Sequence, residues 1–314
     1  MRRKSTRFLF AVLAVAAILF ATREIWGQWR RFQESGASLS PRWPLIAASS
    51  AVVFLAYAIL IETWRRTVRA WDSEVTWGAA ARIWFISNLG RYLPGKVWQI
   101  GAMGIMAQQR GVSPIAATGS AIVINLVNLL AGIGLTLAAG AEYFDQRGAA
   151  IVLAIVLLAA LALAPRLLPP LARLLGAVTR RRLEVPRLPD SAIWIAALGC
   201  LAAWLLYGVA FQMFVAGVIG HAPGPTSSYV AAFTGSYLAG YIAVFAPGGL
   251  GVREPALIAA LGRLGLTAGG EAGIVTLTSR LWLTVLELLP GLLLLAADTL
   301  RKREPLPNDH APNA

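Results

Sequence analysis

Pro247-Gly-Gly-Leu-Gly-Val-Arg-Glu254 places a glycine-rich turn and a charged pair inside very apolar sequence. Between Asp190 and Arg253 the chain has no Asp, Glu, Lys or Arg. An ionisable group at membrane depth is costly, so function is the default reading of Arg253 and Glu254. Glycine permits a tight turn and the close approach of a ligand, and proline stops a helix from running through. The stretch therefore predicts a broken helix in a membrane protein. Such backbone persists at membrane depth only where it is buried in protein or lines a wet cavity.

Composition agrees with this reading. The 314 residues are 57% hydrophobic and 14% charged, whereas a soluble domain averages about 25% charged. Stretches near 8–26, 45–64, 114–139, 148–169, 191–219 and 271–299 are long enough, or nearly so, to cross a bilayer, which needs roughly 20 residues each. The first has a basic start, Arg2-Arg3-Lys4, but no small-residue cleavage site closes it, so it reads as a retained helix. The net charge of +13 does not point to nucleic acid, because the basic residues cluster at segment ends. Arg65, Arg66 and Arg69, then Arg180, Arg181 and Arg182, then Arg301, Lys302 and Arg303 have the pattern of cytoplasmic anchoring. Arg30, Arg31 and Arg42 run against that trend. The lone Cys200 excludes an intrachain disulfide framework.

Two segments are too broken for ordinary spans. Segment 76–109 turns at Leu93-Pro94-Gly95, and segment 226–264 turns at Pro247-Gly248-Gly249. Each reads as a re-entrant hairpin, followed by a long helix at 114–139 or 271–299. Their second arms end alike, at Gln109-Arg110-Gly111 and at Arg263-Leu264-Gly265. With both termini cytoplasmic, the first hairpin faces the cytoplasm and the second faces outside. That is an inverted-topology repeat, in which substrate sites form where broken half-helices meet. The expected fold is thus an all-α integral membrane protein with about six transmembrane helices and two re-entrant helical hairpins. Residues 1–303 form one membrane domain, with repeats at about 45–139 and 191–299, and 304–314 form a disordered cytoplasmic tail.

The candidate site gathers at the breaks. After Gly251 a half-helix begins, whose free amides and dipole suit an anion. Arg253 adds a bidentate clamp for phosphate. Glu254 is expected to fix Arg253, or to bind an amine or proton. Gly248, Gly249 and Gly251 let a headgroup approach the backbone. Arg91 and Lys96 flank the other turn in a matching role, or snorkel to headgroups. Arg280 lies well inside the last span, and Glu287 shares its face as an orienting or pairing group. Asn125 and Asn128 share a face of helix 114–139 and suit interhelical hydrogen bonding better than ligation, with Asn125 kept as a site candidate. Trp26, Trp29, Trp43, Trp64, Trp71 and Trp77 read as interfacial anchors, and Trp204 as packing. Gly90 to Val97 mimics a phosphate loop but lacks its final Ser or Thr and a preceding strand. No cofactor, metal cluster or nucleophile–base set is expected.

Asn88-Leu-Gly-Arg-Tyr-Leu-Pro-Gly-Lys96, Gln109-Arg-Gly-Val-Ser113, Pro247 to Glu254, Arg280 and Pro290-Gly291 together resemble the lysylphosphatidylglycerol synthase transmembrane domain family, a flippase-like family. The likeness runs over roughly residues 8–300, and the Pro247–Glu254 segment is its most specific part. In two-part synthases of that family a membrane domain moves an aminoacylated phospholipid between leaflets, and a soluble domain makes it. Here the resemblance implies a stand-alone translocase or lipid-binding protein without the transferase. Where the family often carries a Glu-Arg pair after the first break, this chain has Ile124-Asn125.

The reading is a lipid translocase of the inner (cytoplasmic) membrane that is not an enzyme. It would bind an anionic phospholipid or polyprenyl-phosphate-linked lipid between the repeats and move its headgroup across. Its partners would be that lipid and the membrane, with a separate lipid-modifying enzyme and a second copy as further candidates, and no nucleic acid. The alternatives are a non-transporting scaffold of a cell-envelope or hopanoid lipid pathway and a lipid-linked transferase. Few acids lie inside the spans to serve a transferase as base.

Overall fold

The computed structural model describes residues 41–92, 97–141, 147–157, 190–243, 246–267 and 270–301, with a few scattered positions besides. The described chain is helical. A long helix α1 (Trp43–Arg69) leads to two short helices, α2 (Trp77–Asn88) and α3 (Val97–Gln108), and then to a long helix α4 (Pro114–Ala139). The same order follows in α5 (Asp190–Ile219), α6 (Thr226–Ile242), α7 (Arg253–Arg263) and α8 (Glu271–Arg301). One 3₁₀ turn, Leu89–Tyr92, follows α2, and another, Pro247–Gly249, precedes α7.

Local chemistry sets the ends of these helices. The Thr76 hydroxyl accepts from the Ala79 amide and begins α2. Ser113 does the same for Ala116 and is followed by Pro114, whose missing N–H costs nothing in a first turn. The two second arms, α3 and α7, end in the same manner. Gly111 and Gly265 adopt positive φ, while Val112 N–H reaches Ala107 O and Leu266 N–H reaches Leu261 O. This is the glycine C-cap with a 6→1 hydrogen bond, and Val112 and Leu266 are buried beneath it.

Four described helices are long and apolar enough to cross a membrane: Trp43–Arg69, Ala116–Ala139, Asp190–Ile219 and Glu271–Ala297. The expected span at 8–26 lies almost wholly outside the described residues. That at 148–169 is represented by the shorter apolar helix Arg147–Leu157. Leu55, Leu198, Leu205 and Leu293 on the long helices are exposed. An apolar surface of that kind suits lipid and would be a liability in water.

Small residues bring the long helices close. Arg42 N–H donates to Gly217 O at 2.7 Å, and Thr63 packs onto Gly199 at the opposite end, so α1 and α5 run antiparallel. The missing side chain at Gly217 leaves room for Ile46, the close approach that small residues give helices in membranes. Indole hydrogen bonds join further pairs: Trp64 Nε1 to Ser120 Oγ (3.1 Å), Trp204 Nε1 to Asn128 O (3.0 Å) and Trp282 Nε1 to Ser50 Oγ (2.8 Å). Trp43 and Trp77 are exposed near helix ends as anchors should be, but Trp64 is fully buried. Its indole N–H has a partner inside the bundle, so it packs rather than anchors.

The second break is closed by backbone crossing backbone. Gly249 has φ +77°, and a Cβ there would lie 2.9 Å from Gly240 Cα on α6. Gly251 also has positive φ, but a Cβ there meets open space. Gly249→Val should therefore abolish the monodisperse folded protein in detergent. Gly251→Ala should keep it, with a loss of about 1–2 kcal/mol from the left-handed backbone alone. Thermal melting followed by size-exclusion chromatography separates the two. A native-like melt for Gly249→Val would refute the tight crossing.

Candidate functional site

The first hairpin folds so that α3 lies against the end of α2. A Cβ at Gly90 would sit 2.9 Å from the Gln99 amide nitrogen, so only glycine allows this approach. Gln99 Nε2 donates to Asn88 Oδ1 at 2.6 Å, which ties the two arms together. Arg91 then points out of the 3₁₀ turn to two other elements. Its Nη1 donates to Tyr237 Oη on α6 (2.7 Å) and pairs with Glu287 Oε1 on α8 (2.8 Å). Tyr92 Oη donates to the other Glu287 oxygen at 2.8 Å.

The second hairpin is held from the same helix. Arg280 Nη2 donates to the Gly248 carbonyl, and Arg280 Nε lies 3.4 Å from Glu254 Oε1. The other Glu254 oxygen accepts from the Gly251 amide at 2.8 Å. Arg253 is buried. Its guanidinium lies over the rings of Tyr237 (4.7 Å to the centroid) and Phe233 (5.3 Å), and among the described residues it has no ion-pair partner. Ring faces stabilise a cation without using its N–H groups. Those donors remain available to a ligand.

Arg91, Arg253, Arg280 and Glu287 line one cavity, with Gly248, Gly249, Gln99, Tyr237 and Tyr241 among its walls. It holds about 450 Å³ of empty space, counting its open mouth. A second cavity of about 530 Å³ adjoins it and shares Arg91, Gln99, Tyr237 and Tyr241. Asn125 and Asn128 line this second space. Asn125 Oδ1 also accepts from Tyr241 Oη at 3.4 Å. Among the described residues no cluster of His, Cys, Asp or Glu could hold a metal.

The expected residues thus converge, with two pairings exchanged. Glu287 engages Arg91 rather than Arg280, because seven residues along a helix separate the two by about 10 Å even on one face. Glu254 pairs with Arg280 rather than fixing Arg253. It also occupies the Gly251 amide, so Gly251 serves as a turn residue and the charged donors that line the cavity are guanidinium groups. Lys96 lies outside the described residues. The sequence reading missed Tyr92, Gln99, Tyr237 and Tyr241. A signal existed, since tyrosines in mid-segment stand away from the interfacial depth where they are enriched.

Arg91 and Glu287 are mostly buried, so removing one strands the other. Arg91→Ala and Glu287→Ala should each lower stability by about 3 kcal/mol, and the double variant by clearly less than the sum. Denaturant unfolding in detergent measures this. Additive losses would rule out the pair as a stabilising unit.

No curated protein matches the chain. The family model described as the lysylphosphatidylglycerol synthase TM region matches residues 8–291. That span includes both hairpins, the cavity-lining Arg91, Arg253 and Arg280, and the Arg91–Glu287 ion pair. The match covers most of a chain whose long apolar helices already make it a multi-pass membrane protein, and the chain belongs to the lysylphosphatidylglycerol synthase TM region family, with the lipid-related membrane role that membership suggests.

Proposed function

We propose that the protein binds the phosphate of an anionic phospholipid or polyprenyl-phosphate-linked lipid in the first cavity and moves the headgroup across the cytoplasmic membrane. The observation that carries this reading is Arg253. Arg91 and Arg280 are each matched by a glutamate, while among the described residues Arg253 meets ring faces and no carboxylate partner. A buried cation without a counter-charge is unfavourable in apolar surroundings. An anionic headgroup supplies that charge and accepts the planar N–H fork of the guanidinium.

The arrangement suits translocation. The long–short–short–long order occurs twice, and the leading helices α1 and α5 run antiparallel. This supports a pair of inverted-topology units whose short-helix hairpins are re-entrant from opposite sides, with both termini cytoplasmic. The cavity lies where both breaks meet α8, the position at which such transporters hold substrate. Arg253 binds the phosphate. Arg280 and Arg91 adjoin it, and their glutamates keep them placed. The tails stay in lipid. A scaffold that holds the same lipid without moving it differs only in lacking transport.

The test is headgroup accessibility in liposomes carrying labelled phosphatidylglycerol or a polyprenyl phosphate. The native protein should speed exchange of one lipid class between leaflets. Arg253→Ala should slow it by at least about tenfold, the loss of a charge-assisted hydrogen bond or more. Arg253→Lys should fall between, because it keeps the charge and loses the fork. The exposed Arg263→Ala should match native. Lipid binding without exchange would favour the scaffold. Unchanged exchange in Arg253→Ala would sink the site.

A further inference from the structure

Resting on that reading, we infer that the second cavity receives the part of the headgroup beyond the phosphate, and that this part is uncharged and rich in hydroxyls, like a sugar or inositol.

The two cavities are neighbours, with Arg91, Gln99, Tyr237 and Tyr241 in the walls of both. A phosphate at Arg253 would sit beside Tyr237, which lines both spaces, and the inference sends its substituent past Arg91 and Gln99 into the second. That space is lined by aromatic rings and side-chain amides, including Tyr57, Trp84, Asn125 and Asn128. Rings offer flat faces to the C–H side of a sugar ring. Amides both donate and accept, which matches hydroxyls and suits neither a purely apolar nor a charged group.

Unused donors in that wall supply an independent observation. Tyr57 Oη and Trp84 Nε1 are buried and have no hydrogen-bond partner among the described residues. Both residues line the second cavity and are at least nine-tenths buried. Buried polar groups are rarely left unmatched, and one that is asks for an explanation. Neither donor atom has exposed surface, so a hydroxylated ligand that shifts the wall as it enters supplies acceptors to both. An ammonium cannot, since it has no acceptor.

Charge argues in the same direction. Among the described residues no carboxylate lines the second cavity. Glu287 lines the first, and both its oxygens are engaged, by Arg91 and Tyr92. An amine-bearing headgroup would face the Arg91 guanidinium with no free counter-charge, a like-charge contact at low dielectric. The site therefore disfavours aminoacyl and ethanolamine headgroups.

The test is native mass spectrometry of the detergent-purified full chain with three probes: phosphatidylinositol, phosphatidic acid and phosphatidylethanolamine. Phosphatidylinositol should bind about tenfold tighter than phosphatidic acid, the contribution of one or two added hydrogen bonds, and phosphatidylethanolamine weakest. Tyr57→Phe keeps the ring and removes the donor, and Trp84→Phe removes the donor while keeping a smaller aromatic face. Each should cut the inositol-to-phosphatidic-acid affinity ratio severalfold, with native melting temperatures checked alongside. Arg253→Gln should weaken both anionic lipids. Equal binding of the two, still lowered by Arg253→Gln, would overturn the headgroup assignment and leave the phosphate site standing. A ratio untouched by both donor variants would also overturn it, because water would then suffice for those donors. Binding of neither anionic lipid, or indifference to Arg253→Gln, would remove the phosphate site and this inference together.

Discussion

The hydrogen bond from Arg280 to the Gly248 carbonyl lets the second hairpin break where it does. A broken helix exposes carbonyls that an apolar surrounding cannot solvate, so a donor must come from elsewhere in the protein. Arg280 supplies it, at the expense of burying a charge. Glu254 lies on the other side of that charge at 3.4 Å and at the same time takes the Gly251 amide. The turn is thereby satisfied at both ends, and the glutamate nearest Arg253 in sequence is already committed. That commitment leaves Arg253 without an ion pair among the described residues.

Helix α8 carries both supports. Arg280 holds the second hairpin and Glu287, two turns further on, holds Arg91 and Tyr92 of the first. A close approach reinforces this, since a Cβ at Gly291 would lie 2.8 Å from Phe85 O on α2. The two breaks therefore share one helix as a strut, and their polar residues face a common space. A displacement of α8 would disturb both ion pairs together. In an apolar protein such coupled polar contacts are high-stakes, because each member is costly when left unmatched.

The polar interior and apolar exterior are complementary demands of one solvent. Outward leucines such as Leu198 and Leu293 are exposed, while tyrosines, amides and arginines turn inward around the cavities. This reverses the arrangement of a soluble domain, and it explains why the tyrosines at 57, 92, 207, 237 and 241 lie inside. Their rings pack like core residues, as in the Tyr57–Phe85 and Tyr207–Phe233 contacts, and their hydroxyls make the interior polar.

By itself the sequence determined the helical membrane class, the positions of both breaks and the residue types gathered there. Apolar length reports a span, proline and glycine report a break, and an arginine in apolar sequence marks a candidate site, each through local chemistry alone. The pairing of charges was decided only by tertiary structure. Glu254 adjoins Arg253 in the chain yet faces Arg280, and Glu287 shares a helix face with Arg280 yet binds Arg91. Sequence neighbours on a helix point in different directions, and residues on one face can still lie too far apart along the axis. The second cavity was equally hidden. Tyr57, Trp84, Gln99 and Asn125 come from four separate helices, and each alone reads as ordinary packing. Their joint character exists only after helices distant in sequence have met.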